Sequence, residues 1–196
     1  FTPAPTAAAG VDATTCANNA VLQLGGAVGV STGGVWSGGA GMFTPNASDL
    51  NATYAPTAAE IAAGQVTLVL TTMGNGTCNA VRDSMVIVVN PLPVVNAGPD
   101  QQICSNNPGF QLNGFVGNAP GGLWSGGAGS YFPNTTSLAV QYTPTAAEVA
   151  AGSITLTLTS TGTTICAPVS DQVTVQFTGS PVVEAGADLA ACANNP

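Results

Sequence analysis

Apolar and polar side chains alternate with a period of two in several segments, the pattern of a strand with one buried face. In Ser153-Ile154-Thr155-Leu156-Thr157-Leu158-Thr159-Ser160 every second residue is apolar, and Val66-Thr67-Leu68-Val69-Leu70-Thr71 and Val173-Thr174-Val175-Gln176-Phe177 have the same character. The intervening Ser160-Thr161-Gly162-Thr163-Thr164 predicts a turn, so the last two alternating segments read as an antiparallel hairpin. Shorter strands are expected at Val94-Val95, Phe110-Gln111-Leu112-Asn113-Gly114, Gly122-Leu123-Trp124, Tyr131-Phe132 and Ala139-Val140-Gln141-Tyr142. About seven short strands in under 100 residues, punctuated by Gly, Pro and Asn, predict an all-β chain built as a β-sandwich. One helical turn interrupts them. Thr145-Ala146-Ala147-Glu148 is a capping box preceded by Pro144 and stopped by Gly152, and Thr57, Glu60 and Gly64 supply the same parts earlier. Glu60 and Glu148 are thereby explained as caps.

That recurrence is general. Trp36-Ser37-Gly38-Gly39-Ala40-Gly41 returns as Trp124-Ser125-Gly126-Gly127-Ala128-Gly129, 88 residues on, and holds both tryptophans of the chain. At the same offset Cys16 meets Cys104 and Cys192, Cys78 meets Cys166, and Tyr54 meets Tyr142. Roughly half the positions between Cys16 and Asn90 match their partners without a gap, which marks a tandem duplication. The boundaries expected are 1–5 as the end of a preceding repeat and a linker, 6–90 as repeat 1, 91–178 as linker and repeat 2, and 179–196 as linker and start of a third. The chain thus reads as a window on a longer array. Trp36 and Trp124 fall on what should be the third strand of each sandwich, where an indole fills the space between sheets, with Tyr54 and Tyr142 expected in the same cores. The Gly-Gly-Ala-Gly that follows each tryptophan lets the chain turn tightly.

Composition removes most familiar chemistry. Charged residues make up 5% of the chain, there is no His and no Lys, Arg82 is the single cation, and the net charge is −8. Such a surface cannot neutralise nucleic-acid phosphate and is not attracted to anionic membranes. The longest dense apolar run, Met85-Val86-Ile87-Val88-Val89, is too short to span a bilayer, and no segment reads as a signal peptide. Hydrophobic residues at 45% argue against disorder despite 25 Gly and 14 Pro. With no His to activate Ser or Cys, and no pair of carboxylates identifiable as acid and base, the chain reads as a non-enzyme without cofactor.

Five cysteines, lacking His and any Cys-x-x-Cys pair, do not read as a metal site. Pairing is expected within each repeat, Cys16 with Cys78 and Cys104 with Cys166, each across 62 residues, because a small domain is stabilised by its own bridge. Cys192 would then join a residue outside the chain. The alternative pairs Cys78 with Cys104 and Cys166 with Cys192 across the junctions. Either scheme implies an oxidising compartment. Asp12, Asp100 and Asp188, and Asp83 and Asp171, form no Asp-x-Asp cluster for calcium and read as turn residues and caps. Asn-x-Ser/Thr sequons stand at Asn46, Asn51, Asn75 and Asn134.

Asn96-Ala97-Gly98-Pro99-Asp100-Gln101-Gln102-Ile103-Cys104, Leu112-Asn113-Gly114, the Trp124–Gly129 phrase, and Tyr142-Thr143-Pro144-Thr145-Ala146-Ala147-Glu148 through Leu156-Thr157-Leu158-Thr159 together carry a resemblance. The chain resembles the immunoglobulin-like, PKD-related tandem repeats of giant Bacteroidota cell-surface proteins, including gliding-motility-type adhesins exported by the type IX system. The resemblance covers essentially the whole chain. It implies secretion, a cell-surface location and a stalk or adhesive role. It also implies O-glycosylation where Asp is followed by Ser or Thr and a small or aliphatic residue, which Asp83-Ser84-Met85 fits at Ser84 and Asp171-Gln172-Val173 does not. The reading that follows is a structural segment of a long extracellular fibre, joined by the linkers Asn90-Pro91-Leu92-Pro93 and Gly179-Ser180-Pro181. Its partners would be neighbouring repeats and other copies of the fibre. A carbohydrate-binding module using Tyr131, Phe132 or the tryptophans, and an S-layer or sheath lattice, are the alternatives.

Overall fold

The computed structural model of the chain describes residues 3–179 and 181–188. Along the first part of the chain come β1 (Thr6–Ala8), β2 (Ala13–Cys16), β3 (Leu22–Gln23), β4 (Ala27–Gly29), β5 (Gly33–Ser37), β6 (Met42–Thr44), β7 (Thr53–Ala55), α1 (Ala58–Ala63), β8 (Gln65–Met73) and β9 (Arg82–Asn90). The same succession follows as β10 (Val94–Asn96), β11 (Gln101–Cys104), β12 (Phe110–Asn113), β13 (Phe115–Gly117), β14 (Gly121–Ser125), β15 (Ser130–Phe132), β16 (Ala139–Thr143), α2 (Ala146–Ala151), β17 (Ser153–Thr161) and β18 (Ser170–Thr178). Contacts divide the chain into two compact units. The first takes in the described residues up to Val95 together with Phe115–Gly122 and Thr159–Ser170. The second takes in Asn96–Gly114, Leu123–Leu158 and the described residues from Asp171.

In the first unit a four-stranded sheet, β2-β9-β8-β5, and a three-stranded sheet, β3-β7-β6, enclose the core, with β1 and β4 as a separate ribbon. The alternation read from the sequence is what sorts the side chains. Val66, Leu68, Leu70 and Thr72 of β8 point inward, as do Met85, Ile87 and Val89 of β9. Trp36 of β5 joins them from the same sheet, and Tyr54 of β7 closes the core from the other. Fully buried aliphatic side chains such as Leu68, Leu70 and Ile87 each contribute about 1.5–3 kcal/mol by leaving water. β8 and β9 are antiparallel, from Gln65↔Val88 to Thr71↔Arg82, and β5 adds antiparallel to β8. At the other edge β2 runs parallel to β9, Ala13 opposite Ile87 and Cys16 opposite Asn90. Asp12 starts that edge by accepting a hydrogen bond from the Val86 amide through Oδ1 at 2.8 Å.

The second copy repeats the strand orders, β11-β18-β17-β14 and β12-β16-β15, with ribbon β10-β13. Its buried residues include Phe110, Leu112, Trp124, Val140, Tyr142, Ile154, Leu156, Leu158, Val173 and Val175. β11 runs parallel to β18 with Cys104 opposite Thr178, and Asp100 Oδ1 accepts from the Thr174 amide at 2.7 Å. Two facing sheets of this order form an immunoglobulin-like β-sandwich, and the chain carries it in tandem.

Two features depart from the sequence pattern. β11 and β13 form where no strand is expected, since four- and three-residue strands show no alternation and take their place from distant partners. The turn expected at Ser160–Thr164 is a longer loop, between the end of β17 at Thr161 and the start of β18 at Ser170. The proposed third-repeat start and the linker position Ser180 lie outside the described residues, except for residues 179 and 181–188.

Candidate functional site

The repeated Trp-Ser-Gly-Gly-Ala-Gly phrase is a buried anchor followed by a latched loop. Trp36 is 2% exposed and Trp124 1%. Each indole N–H donates across 3.3 Å to a backbone carbonyl, that of Leu50 and of Leu138. Gly26 and Gly114 make room for the rings, since a Cβ there would stand 2.8 Å and 2.9 Å from the Cζ2 atoms of Trp36 and Trp124.

In the loop after Trp36, Gly39 has φ +70°, and a Cβ on it would fall on the hydroxyl of Tyr54. That hydroxyl accepts the Gly41 amide at 2.9 Å and donates to Oε1 of Glu60 at 2.8 Å. The same oxygen accepts the Ala40 amide at 2.7 Å, while Oε2 accepts the Thr57 amide and hydroxyl at 2.8 and 3.0 Å. Glu60 therefore does more than cap α1. It ties the glycine loop to the helix through both carboxylate oxygens, a use that Tyr142 and Glu148 repeat with Ala128, Gly129 and Thr145. The capping boxes at Thr57 and Thr145 and the left-handed Gly64 and Gly152 end caps are formed in full.

These bonds set the titration of the latch. Burial pushes the Tyr54 hydroxyl up to about 12, helped by its bond to Glu60, and raises Tyr142 for the same two reasons. Burial alone would raise Glu148, but donors from Thr145, Ala128 and Tyr142 outweigh it and bring the carboxyl down to about 2. Glu60 is lowered by the equivalent balance. A tyrosine far above neutrality beside a carboxylate far below it is a poor pair for proton transfer near pH 7.

The recurring aspartates are anchors as well. Asp83 Oδ2 accepts the Ala9 amide at 2.7 Å, and Asp171 Oδ2 accepts that of Ala97 at 2.8 Å. Ser84 is exposed on β9 beside this anchor. Asn46 and Asn134 fold back on the amides of Ser48 and Thr136. Among the described residues no group of three or more Cys, Asp or Glu comes together to hold a metal. Of the aromatics that could stack on a sugar, the tryptophans are enclosed and Tyr131 packs edge-on to Tyr142 at 4.8 Å, with its hydroxyl donating to the Gly126 carbonyl. Phe132 is 72% exposed, but Thr44 stands at its position in the first copy.

The cysteines are where sequence and structure part. Cys16 is bonded to Cys166, with 5.2 Å between Cα atoms and 150 residues between them in sequence. Among the described residues Cys78 and Cys104 are free. The expected bridges Cys16–Cys78 and Cys104–Cys166 are thus corrected, and the reason is strand length. Cys16 lies opposite Asn90, at the end of β9, whereas Cys78 lies in the loop before Arg82, at its start. Nine residues of extended strand separate those ends by about 27 Å, while a disulfide needs Cα atoms within about 7 Å. The second copy has the same layout, Cys104 opposite Thr178 and Cys166 in the loop before Ser170. The alternative Cys78–Cys104 bond does not form either, and Cys192 lies outside the described residues.

The Cys16–Cys166 bond belongs to the first compact unit, which the loop 159–170 joins. The Ser160 amide donates to the Val169 carbonyl and the Val169 amide to the Ser160 hydroxyl, both at 2.9 Å, so that loop is closed before it reaches its partner. Ile165 and Ala167, on either side of Cys166, line a cleft with Thr14, Thr15 and Asn19. The ribbon before it is also held, for the Asn118 side-chain amide donates to the Leu92 carbonyl at 2.9 Å.

No family model matches the chain, and no curated protein matches it. Solved structures do. The structure of Sidekick-1 immunoglobulin domains 1–4 superposes with a TM-score of 0.54 at 13% identity, covering 89% of this chain and 49% of that one. Sidekick-1 immunoglobulin domains 1–5 gives 0.55 at 13% identity, covering 90% and 39%. The chain therefore spans half or less of the length of these two structures. At this identity the likeness is one of fold: tandem immunoglobulin-like domains.

Proposed function

We propose that this chain is a structural, non-enzymatic segment of a long extracellular fibre or adhesin stalk. The observation that carries the reading is the Cys16–Cys166 bond, which joins the strand end of one repeat to the hairpin loop of the next. A bond between repeats serves a tandem array, whereas an isolated module gains more from a bridge of its own. A structural disulfide also belongs in an oxidising compartment, which supports an extracellular location.

The latched loops support the same reading from another side. The chain's most elaborate hydrogen-bonded constellation, Tyr54 with Glu60 and Tyr142 with Glu148, is spent on closing a loop and is present in both copies. The motifs resembling repeats of Bacteroidota surface proteins favour a gliding-motility-type adhesin exported by the type IX system. Exposed Ser84, in Asp83-Ser84-Met85, is the position for an O-glycan.

Cryo-electron microscopy of native, non-reduced surface material tests the reading. Slender filaments with density repeating at one sandwich length, roughly 35–45 Å for strands of about ten residues along the axis, are expected. Isolated globular particles would overturn it.

A further inference from the structure

Cys78 and Cys104 occupy, in the other copy, the positions of the two bonded cysteines. Subtracting the repeat of 88 turns Cys166 into Cys78 and Cys104 into Cys16. The frames match as well as the numbers. The residue after each strand cysteine donates its amide to the strand alongside, Ala17 to Asn90 and Ser105 to Thr178, both at 2.9 Å. Three residues on from each cysteine, the Asn19 and Asn107 amides return to the Cys16 and Cys104 carbonyls at 2.9 and 3.1 Å. In the hairpin loops, Thr72 closes on Val81 as Ser160 closes on Val169, through an amide and a hydroxyl. Gly74 and Gly162 both turn at positive φ, 66° and 74°.

Exposure separates the two pairs. Cys16 and Cys166 are 5% and 7% exposed, each covered by the other's surroundings. Cys104 is exposed and Cys78 half-buried, with the same backbone beneath them. They are presented like their bonded equivalents and lack only the facing loop or strand.

We infer that Cys78 and Cys104 are half-sites for the same bond. Cys104 takes the hairpin-loop cysteine of a following repeat, and Cys78 takes the strand cysteine of a preceding one. The inference rests on the array reading above and gives it a rule: each strand cysteine bonds to the loop cysteine 150 residues further along. In each closure two thiols lose two protons and two electrons, a sulfur–sulfur bond forms, and a disulfide oxidant, protein or small molecule, is reduced to its dithiol.

The test uses the native full-length protein. Free thiols are capped with iodoacetamide on extraction, the protein is digested unreduced with pepsin at acid pH to suppress exchange, and cross-linked peptides are identified by mass spectrometry. Cys78 and Cys104 are expected uncapped. Cys78 should be linked to a peptide of the Cys-x-Asn-Asn type, as in Cys16-Ala17-Asn18-Asn19 and Cys104-Ser105-Asn106-Asn107. Cys104 should be linked to a peptide from a hairpin loop. Capped thiols at both positions overturn the inference, as do a Cys78–Cys104 bond or a Cys104 bond to another Cys-x-Asn-Asn peptide. Imaging the same material separates the two claims: filaments with free Cys78 and Cys104 leave the fibre standing without its rule, and globular particles remove the fibre itself.

Discussion

The hydroxyl of Tyr142 donates to Oε1 of Glu148 across 2.9 Å, and the same oxygen takes the amide of Ala128, so one carboxylate holds a helix and a glycine loop together. With its carboxyl brought down to about 2 in the fold, Glu148 contributes stability that is complete above the ordinary carboxylate range. That stability is lost as pH falls from the ordinary value of 4.5 toward 2, where the folded carboxyl is protonated. Thermal unfolding should therefore shift to lower temperature between pH 5 and pH 2. Glu148→Gln should lower the unfolding temperature at pH 7, with the gap to the parent narrowing toward pH 2. A gap that stays constant across the series would separate Glu148 from the effect.

Gly127 should tolerate no side chain. Its φ of +68° is in the left-handed region, and a Cβ would collide with the hydroxyl of Tyr142. Gly127→Ala is expected to cost at least about 2 kcal/mol from backbone conformation and overpacking combined. Urea unfolding of this variant beside Gly76→Ala measures it. Gly76 also has positive φ but open space around its Cβ, so only the conformational part of the loss should remain.

The tryptophans should behave as core residues. Emission of the folded chain should be blue-shifted and resistant to acrylamide, for both rings are almost fully enclosed. Trp124→Ala should cost about 3–5 kcal/mol. Quenching by soluble sugars, or red-shifted native emission, would instead return the rings to a binding surface.

Cys166→Ser removes the Cys16–Cys166 bond. A loop-entropy estimate for a closure of 150 residues gives a loss of about 5 kcal/mol. Chemical denaturation with and without reductant should show the loss in the parent and no reductant dependence from this bond in the variant. Thiol labelling of the isolated 196-residue chain, which lacks the facing repeats, should mark Cys78 and Cys104 and spare Cys16.

The long strands were legible because each buries one whole face. Leu156 and Leu158, or Ile87 and Val89, cannot change register without carrying apolar groups into water. β2 and β11 were not, since Ala13–Cys16 and Gln101–Cys104 are short and their place depends on parallel pairing with strands some 74 residues away. That omission hid the disulfide, because the position of Cys16 at one end of β9 follows only once β2 is placed. The cysteine in the hairpin loop was the signal available, as it stands a full strand length from the β9 terminus. In the sequence the glycine loop is a turn, and its reason, the Tyr54 hydroxyl, is visible only as Tyr54 and Glu60 recurring at the same offset as the glycines.

The 150-residue bond also decides where a pulling force goes. Tension entering the chain before Cys16 and leaving after Cys166 crosses from one sulfur to the other, and the 149 residues between them carry none of it. On the order of 500 Å of contour length is thereby withheld from extension until the bond is reduced. Once β18, which begins after Cys166, has been drawn from its sheet, the fold between the two cysteines is shielded from the force, and only reduction of the bond releases its length.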